Sequence, residues 1–102
     1  MLFARVTGTV VCTRKEEKLV GAKLLLVQPV DVGGAPRGNP LVAVDAVGAG
    51  EGELVLLVQG SSARQTALTE SRPVDCTIFG IVDSIENGGK PVFRKSADPA
   101  RR

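Results

Sequence analysis

The stretch Leu2–Thr13 reads LFARVTGTVVCT. Leu2, Ala4, Val6, Gly8, Val10 and Cys12 share one face; Phe3, Arg5, Thr7, Thr9, Val11 and Thr13 share the other. A period of two with one largely apolar face predicts a half-buried β-strand. Gly8, at its middle, predicts a bend or bulge of the kind a strand needs to curl into a barrel. VDCTIFGIVDSIEN, residues 74–87, repeats the device. Val74, Cys76, Ile78, Gly80 and Val82 alternate there with Asp75, Thr77, Phe79, Ile81 and Asp83, and Gly80 is again central. Two long strands with central glycines predict a small closed or partly open barrel.

Three shorter strands fit between these two. KLLLVQP (23–29) is continuously apolar and ends at Pro29; LVAVDAV (41–47) is the third strand and ELVLLVQ (53–59) the fourth. RKEEKLVGA (14–22) reads as a solvated connection closed by Gly21, and DVGGAPRGNP (31–40) as a surface loop or hairpin tip. After Gly60, SSARQTAL (61–68) predicts one short helix with Ser61 or Ser62 as N-cap, broken by ESRP. NGG (87–89) predicts a turn, KPVFRK (90–95) a short sixth strand, and SADPARR (96–102) a frayed tail. The fold class expected is all-β: a small five-stranded OB-like barrel with one short helix between strands four and five.

Composition narrows the chemistry. The chain of 102 residues is 43% apolar, which is globular rather than disordered. Its 13 basic and 11 acidic residues leave a net charge of +2, too balanced to announce a nucleic-acid or membrane-surface partner. With three Phe, no Trp and no Tyr, the core must be aliphatic. With no histidine, the commonest general base and metal ligand is absent. Cys12 and Cys76 form no C-x-x-C motif and read as two reduced structural thiols, which on matching strand parity would face one core. MLFARV does not read as a signal peptide, and no apolar run approaches the roughly 20 residues that span a bilayer.

The glycine-rich stretch VGAGEGE (47–53) fails as a phosphate loop. No Lys-Ser or Lys-Thr follows it, it leads into a strand rather than a helix, and Glu51 and Glu53 would repel an anion. Ser61 and Ser62 lack the G-x-S-x-G context, and a Ser-His-Asp triad is impossible without histidine. Two cysteines do not make a four-ligand zinc site, and Asp31, Asp45, Asp75 and Asp83 are scattered. No catalytic residue, metal or cofactor is expected. Small barrels do bind single-stranded nucleic acid, but through stacking aromatics and a basic groove, which are missing here. A binding module for a single strand or a small ligand is the rival reading. Arg64, near Glu51 and Glu53, carries a planar fork suited to carboxylates and backbone carbonyls across a subunit boundary, and reads equally as a solvated surface arginine.

The segments ARVTGTVVCTRK, LVGAKLLLVQP, LVAVDAVGAGEGELVLLVQGSSAR and RPVDCTIFGIVDSIE resemble the bacterial microcompartment vertex proteins, the EutN/CcmL family. The resemblance runs from about Leu2 to Lys90, and KLLLVQP, VDAVGAGEGE and GSSAR in combination are its specific part. It implies a vertex-type barrel domain over 1–90 and an extension over 91–102. It implies a structural, non-catalytic homopentamer that caps the five-fold vertices of a polyhedral shell in the bacterial cytoplasm, among hexamer-forming shell proteins. It assigns Gly48, Ala49, Gly50, Gly52 and Glu53 to the subunit interface or the rim of a central opening. Gly60, Ser61, Ser62, Ala63 and Arg64 receive the same assignment.

Overall fold

The computed structural model describes residues 1–99. Five strands close a barrel: β1 (Leu2–Val10), β2 (Leu24–Val30), β3 (Leu41–Asp45), β4 (Leu54–Gln59) and β5 (Cys76–Ile81). Their order around the barrel is β1-β2-β3-β5-β4, and β4 pairs with β1 to close it. All ladders are antiparallel except β3 with β5, which run parallel. A separate antiparallel hairpin follows, of β6 (Ser84–Asn87) and β7 (Lys90–Arg94).

The two central glycines mark the bends. The β1–β2 register shifts between Val6 and Gly8, leaving Thr7 as the extra residue. The β4–β5 register shifts opposite Phe79, beside Gly80. A bulge adds local twist, which lets a short strand follow the wall of a narrow barrel.

Inside, the core is aliphatic, as expected. Ala4, Val6, Leu25, Val27, Ala43, Val55, Leu57, Cys76 and Ile78 pack together with Ala49 from the glycine stretch. The three phenylalanines stay half-buried outside this cluster. Leu25, Leu57 and Ile78 are its largest fully enclosed side chains, each contributing roughly 1.5–3 kcal/mol of burial.

Four expectations about residues 1–90 change. The fourteen-residue stretch 74–87 is not one strand but two, β5 and β6, with the chain leaving the barrel at Val82–Asp83. Pro29 does not end β2, which continues to Val30. Its carbonyl accepts the Arg37 N–H at 2.8 Å, so its missing donor faces the 31–37 loop rather than the β1 ladder. The short helix is a single 3-10 turn, Gly60–Arg64, whose N-cap is Gln59 with no side-chain capping bond. Ser61 and Ser62 therefore cap nothing there. Finally, Cys76 lies in the core, but Cys12 is half-buried beyond the end of β1. Burial first, and the neighbouring Asp75 charge second, push the Cys76 thiol above its ordinary range, which keeps it protonated and inert at neutral pH.

The 31–40 loop is braced by Asp31 and by bonds from β2, where Gln28 Nε2 donates to the Gly38 carbonyl at 3.1 Å. Asp31 Oδ1 accepts the N–H groups of Gly33 and Ala35, each at 2.9 Å, and Arg37 lies 3.5 Å from its other oxygen. The Ala35 bond above all, then Gly33 and Arg37, hold this carboxyl below its usual range. The frayed tail expected at 96–102 is ordered in its described part: Lys95–Ala97 form a 3-10 turn and Asp98 pairs with Arg5. Residues 100–102 lie outside the described residues.

Candidate functional site: the two ends of strand β4

The ten residues singled out by resemblance fall at opposite ends of β4. Gly48–Glu53 lead into it and Gly60–Arg64 lead out of it. Six strand residues separate the groups, about 20 Å at the rise of a β-strand.

The turn before β4 is built on Asp45, the last residue of β3. Its side chain is only 2% exposed and lies 3.5 Å from Lys23 Nζ. Its carboxylate accepts the N–H groups of Val47 at 3.0 Å and Gly48 at 3.1 Å. Lys23 Nζ also donates to the Ala49 carbonyl at 2.6 Å. Gly48 and Gly52 have φ of +80° and +88°, a region a side chain enters only under strain. Between them Ala49 is fully buried in the core. The Gly50 N–H donates to Glu53 Oε1 at 2.8 Å, and Glu53 Oε2 meets Lys95 Nζ at 2.6 Å. The Gly52 N–H donates to the Val6 carbonyl and the Val6 N–H to the Glu53 carbonyl, at 2.8 and 2.9 Å. Only Glu51, of the acidic pair, stands exposed at the tip. The turn is a poor phosphate cradle: the amides of Val47, Gly48, Gly50, Gly52 and Glu53 are already bonded to the protein's own carboxylates and carbonyls.

The turn after β4 is held from beneath. Gly60, at φ +69°, donates its N–H to the Asp75 carbonyl at 2.8 Å. Ala63 is fully buried, and its carbonyl accepts the Thr77 hydroxyl at 2.7 Å. Arg64 Nη1 donates to the Val74 carbonyl at 3.0 Å. Within one chain Arg64 thus grips backbone, while Glu53 is bound to Lys95. Arg64 is exposed as a residue, as are Ser61 and Ser62. Among the described residues no cluster of three His, Cys, Asp or Glu could hold a metal ion.

Large apolar side chains are exposed beside both turns, with Val20, Val42, Val47 and Leu68 40–64% accessible. An open concavity of about 400 Å³ lies between Val20, Lys23, Gly48, Leu68 and Arg72. Exposed apolar surface of this kind marks a contact face more often than a catalytic one.

Several supporting residues escaped the sequence reading. Thr77 alternates with Cys76 and Ile78 of the core, yet it too is fully buried, beneath the 3-10 turn. Thr66 and Thr69 exchange side-chain bonds with each other's backbone N–H, at 3.0 and 3.2 Å. A T-x-x-T spacing after the serines was the available signal. Arg5, Lys23 and Lys95 carried none, because their partners are distant in sequence.

With the geometry in place, the chain can be set beside known proteins. The family model described as "Ethanolamine utilisation protein EutN/carboxysome" matches residues 1–83. The chain belongs to the EutN/CcmL family. Among its relatives, the shell vertex protein EutN of Salmonella typhimurium is 52% identical over 95 residues, 93% of this chain and 96% of that protein. The carboxysome shell vertex protein CcmL of Gloeobacter violaceus is 46% identical over 95 residues. Its solved structure superposes with a TM-score of 0.89, covering 94% of this chain and 99% of that one. The GrpN pentameric microcompartment shell protein of Rhodospirillum rubrum superposes with a TM-score of 0.78 at 45% identity, covering 85% and 99%. In this EutN/CcmL chain the family model spans the whole barrel and ends two residues after β5.

Proposed function

We infer that this protein is a structural shell protein that assembles as a homopentamer and caps the vertices of a bacterial microcompartment. It resides in the bacterial cytoplasm as part of that shell. The observation that carries the reading is the near full-length likeness to vertex proteins, one of which is solved as a pentamer.

The role asked of it is mechanical. Five subunits close around an axis through a head-to-tail interface, which needs two different and matching surfaces on each subunit. The two ends of β4 are two such surfaces. On this reading Gly48, Ala49, Gly50, Gly52 and Glu53 shape one side of the joint or the rim of the opening. Gly60, Ser61, Ser62, Ala63 and Arg64 shape the other. Residues 1–90 form the vertex domain, and 91–102 extend it. Its neighbours in the shell are hexamer-forming facet proteins. Catalysis is not part of the role: Ser61 and Ser62 are turn residues, and the histidine-free sequence offers no ready general base.

Native mass spectrometry at low micromolar concentration tests this. The expected species is five times the 10.6 kDa chain. A clean monomer across the concentration range would remove the physical basis of the reading.

A further inference from the structure

The family match stops at residue 83, yet the chain beyond it turns back onto the barrel. The β6–β7 hairpin shares no ladder with the barrel, and a lone two-stranded hairpin is marginal in water. What fastens it lies at its base and in the segment just after β7. The Lys95 N–H donates to the Asp83 carbonyl at 2.9 Å, closing the hairpin's base. Lys95 Nζ reaches Glu53 Oε2 at 2.6 Å. Asp98 pairs with Arg5 Nη1, and the same nitrogen donates to the Gly52 carbonyl at 3.0 Å. The Arg5 guanidinium also lies over the Phe93 ring, 5.8 Å from its centroid.

We infer that residues 93–98 are a clasp that sets the shape of the glycine turn, with Arg5, Lys95 and Asp98 as its positioning residues. Two separate links reach the turn. Lys95 takes one oxygen of Glu53, which orients the carboxylate so that its other oxygen receives the Gly50 N–H at 2.8 Å. Asp98 and Phe93 fix the Arg5 guanidinium, which holds the Gly52 carbonyl. The pairs are shielded: side-chain exposure is 23% and 17% for Lys95 and Glu53, and 21% and 6% for Arg5 and Asp98. Salt therefore weakens them less than it would an open surface pair. The clasp touches the turn from its own chain only. Its effect on assembly rests on the proposed place of that turn in the joint: a turn held in one shape meets a neighbour at lower entropic cost.

The test uses the full-length protein. A Lys95→Ala/Asp98→Asn variant is compared with wild type and with a Lys90→Ala/Arg94→Ala control, whose side chains are exposed on the hairpin. Amide hydrogen exchange is followed at Gly50 and Gly52, and at Val55, Leu57 and Ile78 as a report on the core. Exchange at Gly50 and Gly52 should rise about tenfold in the clasp variant, the loss expected for a charge-assisted contact. The core and the control should match wild type. Unchanged exchange at both glycines in a folded variant would overturn the clasp. Should the double variant lose its core protection, Lys95→Met alone decides: Gly50 must accelerate, and its silence overturns the inference. Native mass spectra on dilution then read assembly. The clasp variant should lose its pentamer at a higher concentration than wild type, and equal dissociation would overturn the link from clasp to assembly. A wild type that never reaches the five-fold mass sinks the vertex reading instead, and the exchange data still judge the clasp.

Discussion

At its start, β4 is entered through a turn whose amides and carbonyls are bonded to β1, to Asp45 and Glu53, and through Arg5 and Lys95 to the C-terminal segment. At its end, the strand runs into a 3-10 turn anchored from below by Thr77 and Val74, with Ser61, Ser62 and Arg64 facing solvent. Both turns carry a left-handed glycine and one fully buried alanine. Their polar groups differ. The first spends them within its own chain; the second displays them. Rigidity is thus concentrated on one side of the proposed joint and recognition on the other.

The largest expected effect erases the comparison. Leu57, fully buried between the two turns, should cost about 3 kcal/mol when replaced by Ala, and thermal unfolding should fall by more than about 10 °C. Hydrogen exchange should rise at both turns together. If one end keeps its protection, the turns are not coupled through β4. Next come Gly48→Ala and Gly60→Ala. Each has open space for a Cβ but positive φ, so each should lose about 1–2 kcal/mol from backbone conformation, whatever the oligomeric state. Gly50 differs. A Cβ there would meet Glu53 Oε1 at an ordinary 3.6 Å, with no positive φ. Gly50→Val should therefore leave barrel stability nearly intact yet weaken the pentamer or narrow its opening. Unchanged assembly would move the glycine turn away from the joint.

Thr77→Val sharpens the contrast from the other end. It keeps the shape but removes the donor from the Ala63 carbonyl, and about 1 kcal/mol should go with it, read by denaturant titration. Arg64→Ala should loosen association more than it destabilises the barrel. An equal melting temperature with an unaltered subunit mass at low concentration would contradict that. The smallest effect belongs to neither end. Asp31 titrates below its ordinary 3.8, so its bonds stabilise the loop fully above that value. They are lost as pH falls through the lower folded value. Amide signals of Gly33 and Ala35 should shift only in that acid range.

What the sequence disclosed was whatever repeats locally. Alternation placed the inward residues of β1 and β5, and Gly8 and Gly80 marked the bulges that curve them. The helix was misjudged because SSARQTAL has helix-forming residues but too short a period. Thr66 and Thr69 then offer their hydroxyls to the very N–H groups a helix would have used. The burial of Thr77 was not legible, because parity says which way a side chain points, not what later covers it. The Arg5–Asp98 and Lys95–Glu53 pairs join residues far apart in the chain, and no local pattern encodes such partners. Of the site, the resemblance proposes the residues and the strand reading sets them on either side of the fourth strand; the bonds that tie each turn to distant residues were not legible.

The ladder order carries a consequence for how the molecule is made. β4 hydrogen-bonds to β1 on one side and β5 on the other, the first and last strands of the barrel. β3, though next in sequence, pairs with β5 across it. The strand between the two turns therefore gains partners on both of its edges only when residue 81 is present. Such non-local pairing makes refolding slow for the chain's size, in milliseconds to seconds rather than microseconds. A chain cut short before β5 leaves one edge of β4, and the edge of β3 that β5 would cover, without a partner.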